Sequence, residues 1–305
     1  MNLIKEPKLT EKFKIGIVGH GFVGKAVDYA FTHSMVEKFY VDPKHNTTID
    51  DLVVWQPNMV FICAPTPMGP QGIIDATIVE DAVLKIFHHT SAGVSVKSTV
   101  TPDIIQRLAF TADQLGCGNR FVYNPEFLTE NSAIEQFVNA PFHIFGGTPE
   151  AIQGLLWVYS MFSMCRLDNV QQMGAVEAAF TKYAINSFLA MKVTFFNQLY
   201  DAAQTMGAQY NHILAGVESD PRIGRSHTKV PGFDGKRGFG GACFPKDVSA
   251  FNKVFKGFTL LDNVVTINNE YRKPYELDER EKAQNVIYNG ETKKELENQI
   301  DGYPV

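Results

Sequence analysis

Between Lys14 and about Thr148 the chain switches repeatedly between two rhythms, short runs rich in β-branched and aromatic residues and longer stretches with apolar positions at helical spacing. The short runs are Lys14–Val18, Lys38–Val41, Met59–Cys63, Val94–Lys97, Phe121–Tyr123 and His143–Phe145, and a helix is predicted from Phe22 to about His33. Strands alternating with helices predict an α/β fold, a Rossmann-type parallel sheet covered by helices on both faces. Ligands of such sheets sit at the carboxyl ends of the strands.

The rhythm changes at Gly174. From there to Gly207 no Gly or Pro intervenes, and apolar residues fall on nearly every face of the expected helix. Such a helix would run on the order of 50 Å, and one this apolar is expected to join two domains or two subunits. Further helical patterning covers Asn211–Glu218, resumes at Lys246, and runs from about Leu260 to Arg272 before Pro274. Between these lies a loop, Asp220 to Gly241, crowded with Gly, Pro and basic residues, and long loops in compact domains are usually either functional or disordered. Beyond Pro274, Glu276 to Val305 is charged and apolar-poor, which predicts an exposed helix or a frayed tail. The expected organisation is a sheet domain over 1–173, a mainly helical second domain over 174–273 that opens with the long central helix, and a charged tail over 274–305.

Composition narrows the functions. With 45% hydrophobic residues in 305, the chain can bury a core, which excludes a disordered chain. Its 28 Lys+Arg against 33 Asp+Glu leave a net charge of -5 with no basic cluster, so nucleic acid is not an expected partner. No apolar run reaches the length of a membrane span and no apolar leader opens the chain, so the expectation is a soluble, cytoplasmic protein with no membrane partner. The four cysteines form no C-x-x-C pair and the histidines no H-x-x-x-H pair, so neither a metal nor a disulfide framework is expected.

Three constellations carry chemistry. Gly19-His20-Gly21-Phe22-Val23-Gly24 directly follows the first strand and opens a helix, the context in which G-x-G-x-x-G cradles a dinucleotide pyrophosphate. Asp42 ends the second strand, where a carboxylate accepts hydrogen bonds from a ribose diol and repels a 2′-phosphate, favouring NAD over NADP. Two further strand ends carry hydroxyls, in Ala64-Pro65-Thr66-Pro67 and Lys97-Ser98-Thr99-Val100, where plain turn chemistry is the alternative.

The second constellation is Gly238-Phe239-Gly240-Gly241-Ala242-Cys243-Phe244-Pro245-Lys246-Asp247, which sets a thiol just before a helix whose first turn Pro245 marks. Helix N-terminal N–H groups and the nearby Lys246 would favour a thiolate, so Cys243 is the cysteine with a reason to react, whereas Cys63, Cys117 and Cys165 read as buried structural thiols. Third, Lys182 and Asn186 share one face of the long helix, as an oxyanion-stabilising pair or as a solvated lysine beside a satisfied amide. Asn124-Pro125-Glu126-Phe127-Leu128-Thr129-Glu130 offers two carboxylates after another strand, for proton transfer or as plain surface charge.

Taken together these motifs resemble the UDP-glucose dehydrogenase family of NAD-dependent nucleotide-sugar 6-dehydrogenases. The matching stretches, in order, are Gly19–Gly24, Ala64–Pro67, Ser98–Val100, Asn124–Leu128, Lys182 to Asn186 with Phe188-Leu189-Ala190, Asp220-Pro221-Arg222-Ile223-Gly224, and Phe239–Asp247. The resemblance implies a four-electron oxidation of a sugar CH2OH to a carboxylate, with NAD as cofactor and a nucleotide sugar, UDP-glucose first, as substrate. It implies Cys243 as the covalent nucleophile, Lys182 and Asn186 as oxyanion stabilisers, and Asp247, Glu126 and Thr99 in the proton and water network. Cofactor contacts would come from Gly19, Gly21, Phe22, Val23, Gly24, Asp42, Thr66, Thr99, Glu130 and Lys246. Substrate contacts would come from Glu126, Phe127, Leu128, Glu130, Lys182, Asn186, Arg222, Phe239, Gly240 and Gly241.

A homodimer through the helix 174–207 is implied as well. Family members usually continue into a third domain that closes over the nucleotide, so the expectation is a short form lacking it. The loop from Arg225 to Arg237 is longer and more basic than usual, and Lys229, Lys236 and Arg237 are candidates for phosphate contacts. Two rival readings stand: a β-hydroxyacid-type dehydrogenase needing no cysteine, and an inactive NAD-binding partner protein.

Overall fold

The structure, a computed structural model, describes residues 11–129 and 132–288. They form two compact units, one running to Thr66 and from Asp75 to Lys182, the other formed by Pro67–Ile74 and the residues from Tyr183 onward.

The first unit is a seven-stranded sheet with helices. Its strands are β1 (Phe13–Val18), β2 (Val36–Val41), β3 (Met59–Ile62), β4 (Gly93–Val96), β5 (Phe121–Tyr123), β6 (His143–Gly147) and β7 (Val170–Met173), in the spatial order β2-β1-β3-β4-β5-β6-β7. The helices are α1 (Phe22–Ala30), α2 (Ile49–Trp55), α3 (Thr77–His89), α4 (Pro102–Gln114), α5 (Ala133–Val138) and α6 (Pro149–Phe162), followed by the start of α7 (Ala175–Thr205). From β2 to β5 neighbouring strands run parallel, as the βαβ rhythm predicts.

The far side departs from an all-parallel sheet: β6 is antiparallel to β5, and β7 adds a parallel edge that the sequence reading does not contain. Apolar patterning reports burial, which is the same for either strand direction. β7, Val-Gln-Gln-Met, exposes both glutamines and so lacks the signature of an interior strand.

Strand residues Phe13, Ile15, Ile17, Phe61 and Phe145 are buried in one cluster with Val27 of α1, Phe31 just after it, and Ile152, Leu155 and Tyr159 of α6. Burial of a large apolar side chain contributes roughly 1.5–3 kcal/mol, so this cluster anchors the strand ends that carry the candidate chemistry. α7 starts on β6, where a Cβ at Gly146 would stand 2.4 Å from that of Ala178.

In the second unit the rest of α7 is followed by α8 (Tyr210–Glu218), α9 (Phe244–Val254), α10 (Thr259–Arg272) and α11 (Glu279–Ala283). The fold is thus α/β, with a long helix leading into a mainly helical part. The expected exposed helix or frayed tail from Glu276 does not hold for the described residues up to Tyr288: Glu281, Val286 and Tyr288 are buried, and Met68 N–H donates to the Gln284 carbonyl at 2.9 Å. Charge composition alone could not reveal this, because Glu281 is buried against a partner, Arg272, supplied by another helix. The tail beyond Tyr288 lies outside the described residues.

His143 sits among buried groups at the start of β6. Its Nε2 donates to the Arg166 carbonyl at 2.9 Å, an assignment that follows because a carbonyl only accepts. Burial, and next the nearby Lys97, push its pKa from 6.5 down to about 4. Above pH 6.5 the ring is neutral in both folded and unfolded chains. As pH falls through the window from 6.5 to 4 the unfolded chain takes a proton that the folded chain refuses, at a cost of up to about 3 kcal/mol of stability. Urea midpoints measured across this window should fall with acidification, and His143→Gln, which can still donate to Arg166, should flatten that fall.

Candidate functional site

The Gly19–Gly24 turn joins β1 to α1, and its glycines answer to different constraints. Gly19 lies at φ +87°, where a Cβ would stand 2.6 Å from the Cys63 carbonyl oxygen, and a Cβ on Gly24 would fall 2.0 Å from the Gly19 carbonyl oxygen. Those two permit the tight turn and the helix–strand approach. At Gly21 nothing lies within 4 Å of a built Cβ, so the space beside its backbone is open, as a pyrophosphate on the helix N-terminus requires. Phe22 and Val23 open the helix, and Phe22 leans on the core.

Asp42 follows β2. Its Oδ2 accepts from His20 N–H at 2.7 Å and its Oδ1 from Lys44 N–H at 2.9 Å. These backbone donors, Lys44 first, lower its pKa and keep it a carboxylate. Nearby, His20 meets His45 at 3.1 Å and Asp28 at 3.2 Å. The sequence reading gave these three residues no role, and a lone histidine inside a glycine motif offers no signal for one.

At the next strand ends the buried Thr66 hydroxyl donates to the Thr99 carbonyl at 2.8 Å, joining two predicted positions. Ser98 is bonded to the carbonyls of Ile62 and Ala64. After β5, Glu126 is held at two points: its carboxylate forms an ion pair with Lys97, and its carbonyl oxygen accepts from Lys182 Nζ. The Lys182 ammonium lies 4.8 Å from the centre of the Phe127 ring. Glu126, Phe127, Leu128 and Lys97 line a cavity of about 330 Å³ together with Gln136, Phe142 and His143. Glu130 lies outside the described residues.

Lys97 was not singled out by sequence. Its one signal is a lysine closing an otherwise apolar strand, Val94-Ser95-Val96. Its ammonium donates to Asn124 Oδ1 at 2.7 Å and faces the Phe137 ring. Burial draws its pKa down to about 7, and the Glu126 carboxylate against it works the other way by favouring the charged form. Burial also raises the thiols of Cys63, to about 12, and Cys165, to about 11, which makes them unreactive at neutral pH.

In the second unit Cys243 is the N-cap of α9, with Pro245 in the first turn. One turn on, Asp247 is buried and fully engaged: Asn186 Nδ2 donates to its Oδ2 at 2.7 Å and Lys246 Nζ to its Oδ1 at 2.6 Å. The Lys246 ammonium is therefore committed to Asp247. Before the cysteine, Phe239 is held at both backbone groups by Asn268, at 2.6 and 3.0 Å. Gly240 and Gly241 then bring the chain to α9, Gly241 at φ +82°.

Arg222 lies on the surface, with its guanidinium forked onto Asp220. The basic loop differs from expectation. Arg237 is spent on Asn197 and Asp201 and lies over the rings of Tyr200 and Tyr271, while Lys236 donates to the Glu276 carbonyl. These two cations hold the loop down, which leaves Lys229, beside Phe233, as the remaining phosphate candidate of the three.

The strand order, the glycine turn and the acidic residue after β2 define an α/β protein of the dinucleotide-binding class. Residues 44–163 match the NAD binding domain of the UDP-glucose/GDP-mannose dehydrogenase family, and residues 176–270 match that family's central domain. The chain belongs to the UDP-glucose/GDP-mannose dehydrogenase family. A UDP-glucose 6-dehydrogenase of Rickettsia typhi is 32% identical over 205 residues, 66% of this chain and 46% of that protein. UDP-glucose 6-dehydrogenase TuaD of Bacillus subtilis is 31% identical over 249 residues, 78% of this chain and 52% of that protein. The chain thus spans about half the length of these curated relatives. A solved UDP-glucose dehydrogenase structure from Pyrobaculum islandicum superposes with a TM-score of 0.69 at 26% identity, covering 87% of this chain and 70% of that one.

The different constraints on the glycines are separable. Gly21→Ala should leave thermal stability unchanged and weaken NAD binding about tenfold, because its Cβ enters only open space. Gly24→Ala should cost about 1–3 kcal/mol of stability by overpacking. Calorimetric NAD titrations beside thermal melts of both variants check this.

Proposed function

We propose that this chain oxidises a nucleotide sugar, UDP-glucose being the first candidate, at C6 to the uronic acid with two equivalents of NAD. The observation that carries the reading is the arrangement at α9: a cysteine at the helix N-cap behind a glycine turn, with a buried carboxylate one turn on that is held by Asn186 and Lys246. Oxidation of an alcohol to an aldehyde needs only a base and an acceptor. Going on to the acid without releasing aldehyde needs a covalent holding group, and a thiol suits that task.

In this reading NAD, when bound, accepts the two electron pairs that the sugar carbon gives up. The Gly19–Gly24 turn, with Phe22 and Val23, would hold the pyrophosphate and Asp42 the adenosine ribose, while Thr66 and Thr99 would serve the nicotinamide side, and Glu130 keeps only the cofactor role that the family resemblance implies. Cys243 Sγ adds to the C6 aldehyde, forming a C–S bond while the carbonyl oxygen takes a proton. Loss of the C6 hydrogen as a second hydride, together with the hydroxyl proton, leaves a thioester. Water then attacks its carbonyl carbon, the C–S bond breaks, and carboxylate and thiol result. Lys182 and Asn186 stabilise the oxygen as charge develops on it. Asp247, supported by Lys246, and Glu126 handle protons and water. Phe127, Leu128, Phe239, Gly240, Gly241 and Arg222 contact the substrate.

NADH formed per UDP-glucose consumed tests the reading. Two are expected, and Cys243→Ser should abolish uronic acid formation, with a fall in acid production of about a thousandfold or more. One NADH per sugar, or acid formation surviving in Cys243→Ser, would overturn it in favour of a dehydrogenase without covalent catalysis.

We also propose a homodimer through α7. Ala184, Phe188 and Phe195 recur at helical spacing on one face, and the two phenylalanines are 60% and 59% exposed. A second copy would bury this stripe. Light scattering should give the mass of two chains, and Phe188→Glu should reduce it to one.

A further inference from the structure

The best-formed buried cluster that the proposed chemistry does not use lies just behind the cysteine turn. Glu281, on the five-residue helix α11, is 0% exposed, and Arg272, at the end of α10, is 1% exposed. Glu281 Oε1 accepts from Gly241 N–H at 3.1 Å, from Arg272 Nη2 at 2.7 Å and from the Tyr288 hydroxyl at 2.6 Å. Its Oε2 accepts from Asp278 N–H at 2.9 Å. Arg272 uses its other terminal nitrogen on Asp234, at 2.7 Å, and so ties in the long basic loop as well.

Helix capping does not account for this arrangement. A Glu three residues into a helix completes a capping box from a solvated position, whereas here the carboxylate is buried and carries an arginine buried with it. Burying such a pair is costly unless its hydrogen-bonding positions are used, and here, among the described residues, both carboxylate oxygens and both terminal guanidinium nitrogens are used, while Arg272 Nε is not. Beyond capping and pairing, the carboxylate takes the Tyr288 hydroxyl and the N–H of Gly241, and Gly241 lies two residues before Cys243. The turn is shaped to receive the pair: a Cβ on Gly240 would lie 2.4 Å from Arg272 Nη2 and 2.5 Å from Glu281 Oε1.

We propose that Glu281 is a positioning residue for the Gly240-Gly241-Ala242-Cys243 turn, holding the Gly241 amide so that the Cys243 thiol stays at the N-terminus of α9. The inference rests on the proposed role of Cys243 for its meaning in catalysis, though not for its geometry. Gly241, at φ +82°, has freedom that no side chain limits, and the carboxylate supplies the missing restraint.

The test is the rate at which iodoacetamide alkylates Cys243, followed by peptide mass spectrometry as a function of pH, in the full chain and in Glu281→Ala, Glu281→Gln and Tyr288→Phe. A helix N-terminus favours thiolate, so a turn released from Glu281 should alkylate about fivefold more slowly at neutral pH, with the midpoint of the profile moved upward. Glu281→Gln keeps an oxygen for the Gly241 amide and should stay within about twofold of the native chain. Tyr288→Phe removes one of the bonds that orient the carboxylate and should fall between; it remains decisive if Glu281→Ala does not fold. An unchanged profile in Glu281→Ala, or in Tyr288→Phe where that variant alone folds, overturns the proposal, as does Glu281→Gln slowing as much as Glu281→Ala. In turnover, kcat should fall about tenfold in Glu281→Ala with the NAD dissociation constant unchanged. If the native chain oxidises no UDP-glucose, the proposed function fails, while the alkylation series, which needs no substrate, still decides the role of Glu281.

Discussion

A charge taken out of water must find its partner inside the fold, and the candidate chemistry of this protein is arranged around that requirement. Lys97 meets Glu126 and Asn124 beyond β4, Asp247 meets Asn186 and Lys246 in the first turn of α9, and Arg272 meets Glu281 and Asp234 behind the glycine turn. Removing one member of such a pair typically costs about 3–5 kcal/mol, because the survivor is left buried and unpaired. Each pair therefore fixes a loop as firmly as a hydrophobic contact would, and it does so at a stated atom. A buried ion pair adds little net stability over an apolar substitute. What it supplies here is a defined position for the residues beside it.

The glycine turns depend on the same economy of space. At Gly24 the neighbouring backbone leaves no room for a Cβ, and at Gly240 the room is taken by the Arg272–Glu281 pair. At Gly21 the room is left empty. A residue type that looks uniform in sequence thus serves close packing in two places and ligand access in a third. The proposed covalent chemistry needs both kinds of place: an open backbone for a cofactor and a restrained turn for a nucleophile.

Much of this was legible beforehand, because it is local. The βαβ rhythm located six of the seven strands, and the run without Gly or Pro from 174 to 207 located α7, observed as Ala175–Thr205. The glycine motif was legible because its context, strand before and helix after, is itself a sequence feature. Cys243 stood out because Pro245 announces a helix start. The basic loop was misleading, since the charges of Lys236 and Arg237 are visible in sequence while their partners, the Glu276 carbonyl, Asn197 and Asp201, are scattered along the chain.

Sequence by itself determined the class of fold, the residue types available to it and the position of each reactive group relative to a helix or strand end, because periodicity and capping act over a few residues. Tertiary structure decided the direction of β6, the edge strand β7, the burial of Glu281 in a segment that looks like a solvated tail, and the pairing of Lys97 with Glu126. Each of these is a relation between residues far apart along the chain. A single residue's chemistry states which partner it needs, and only the folded chain brings that partner within reach.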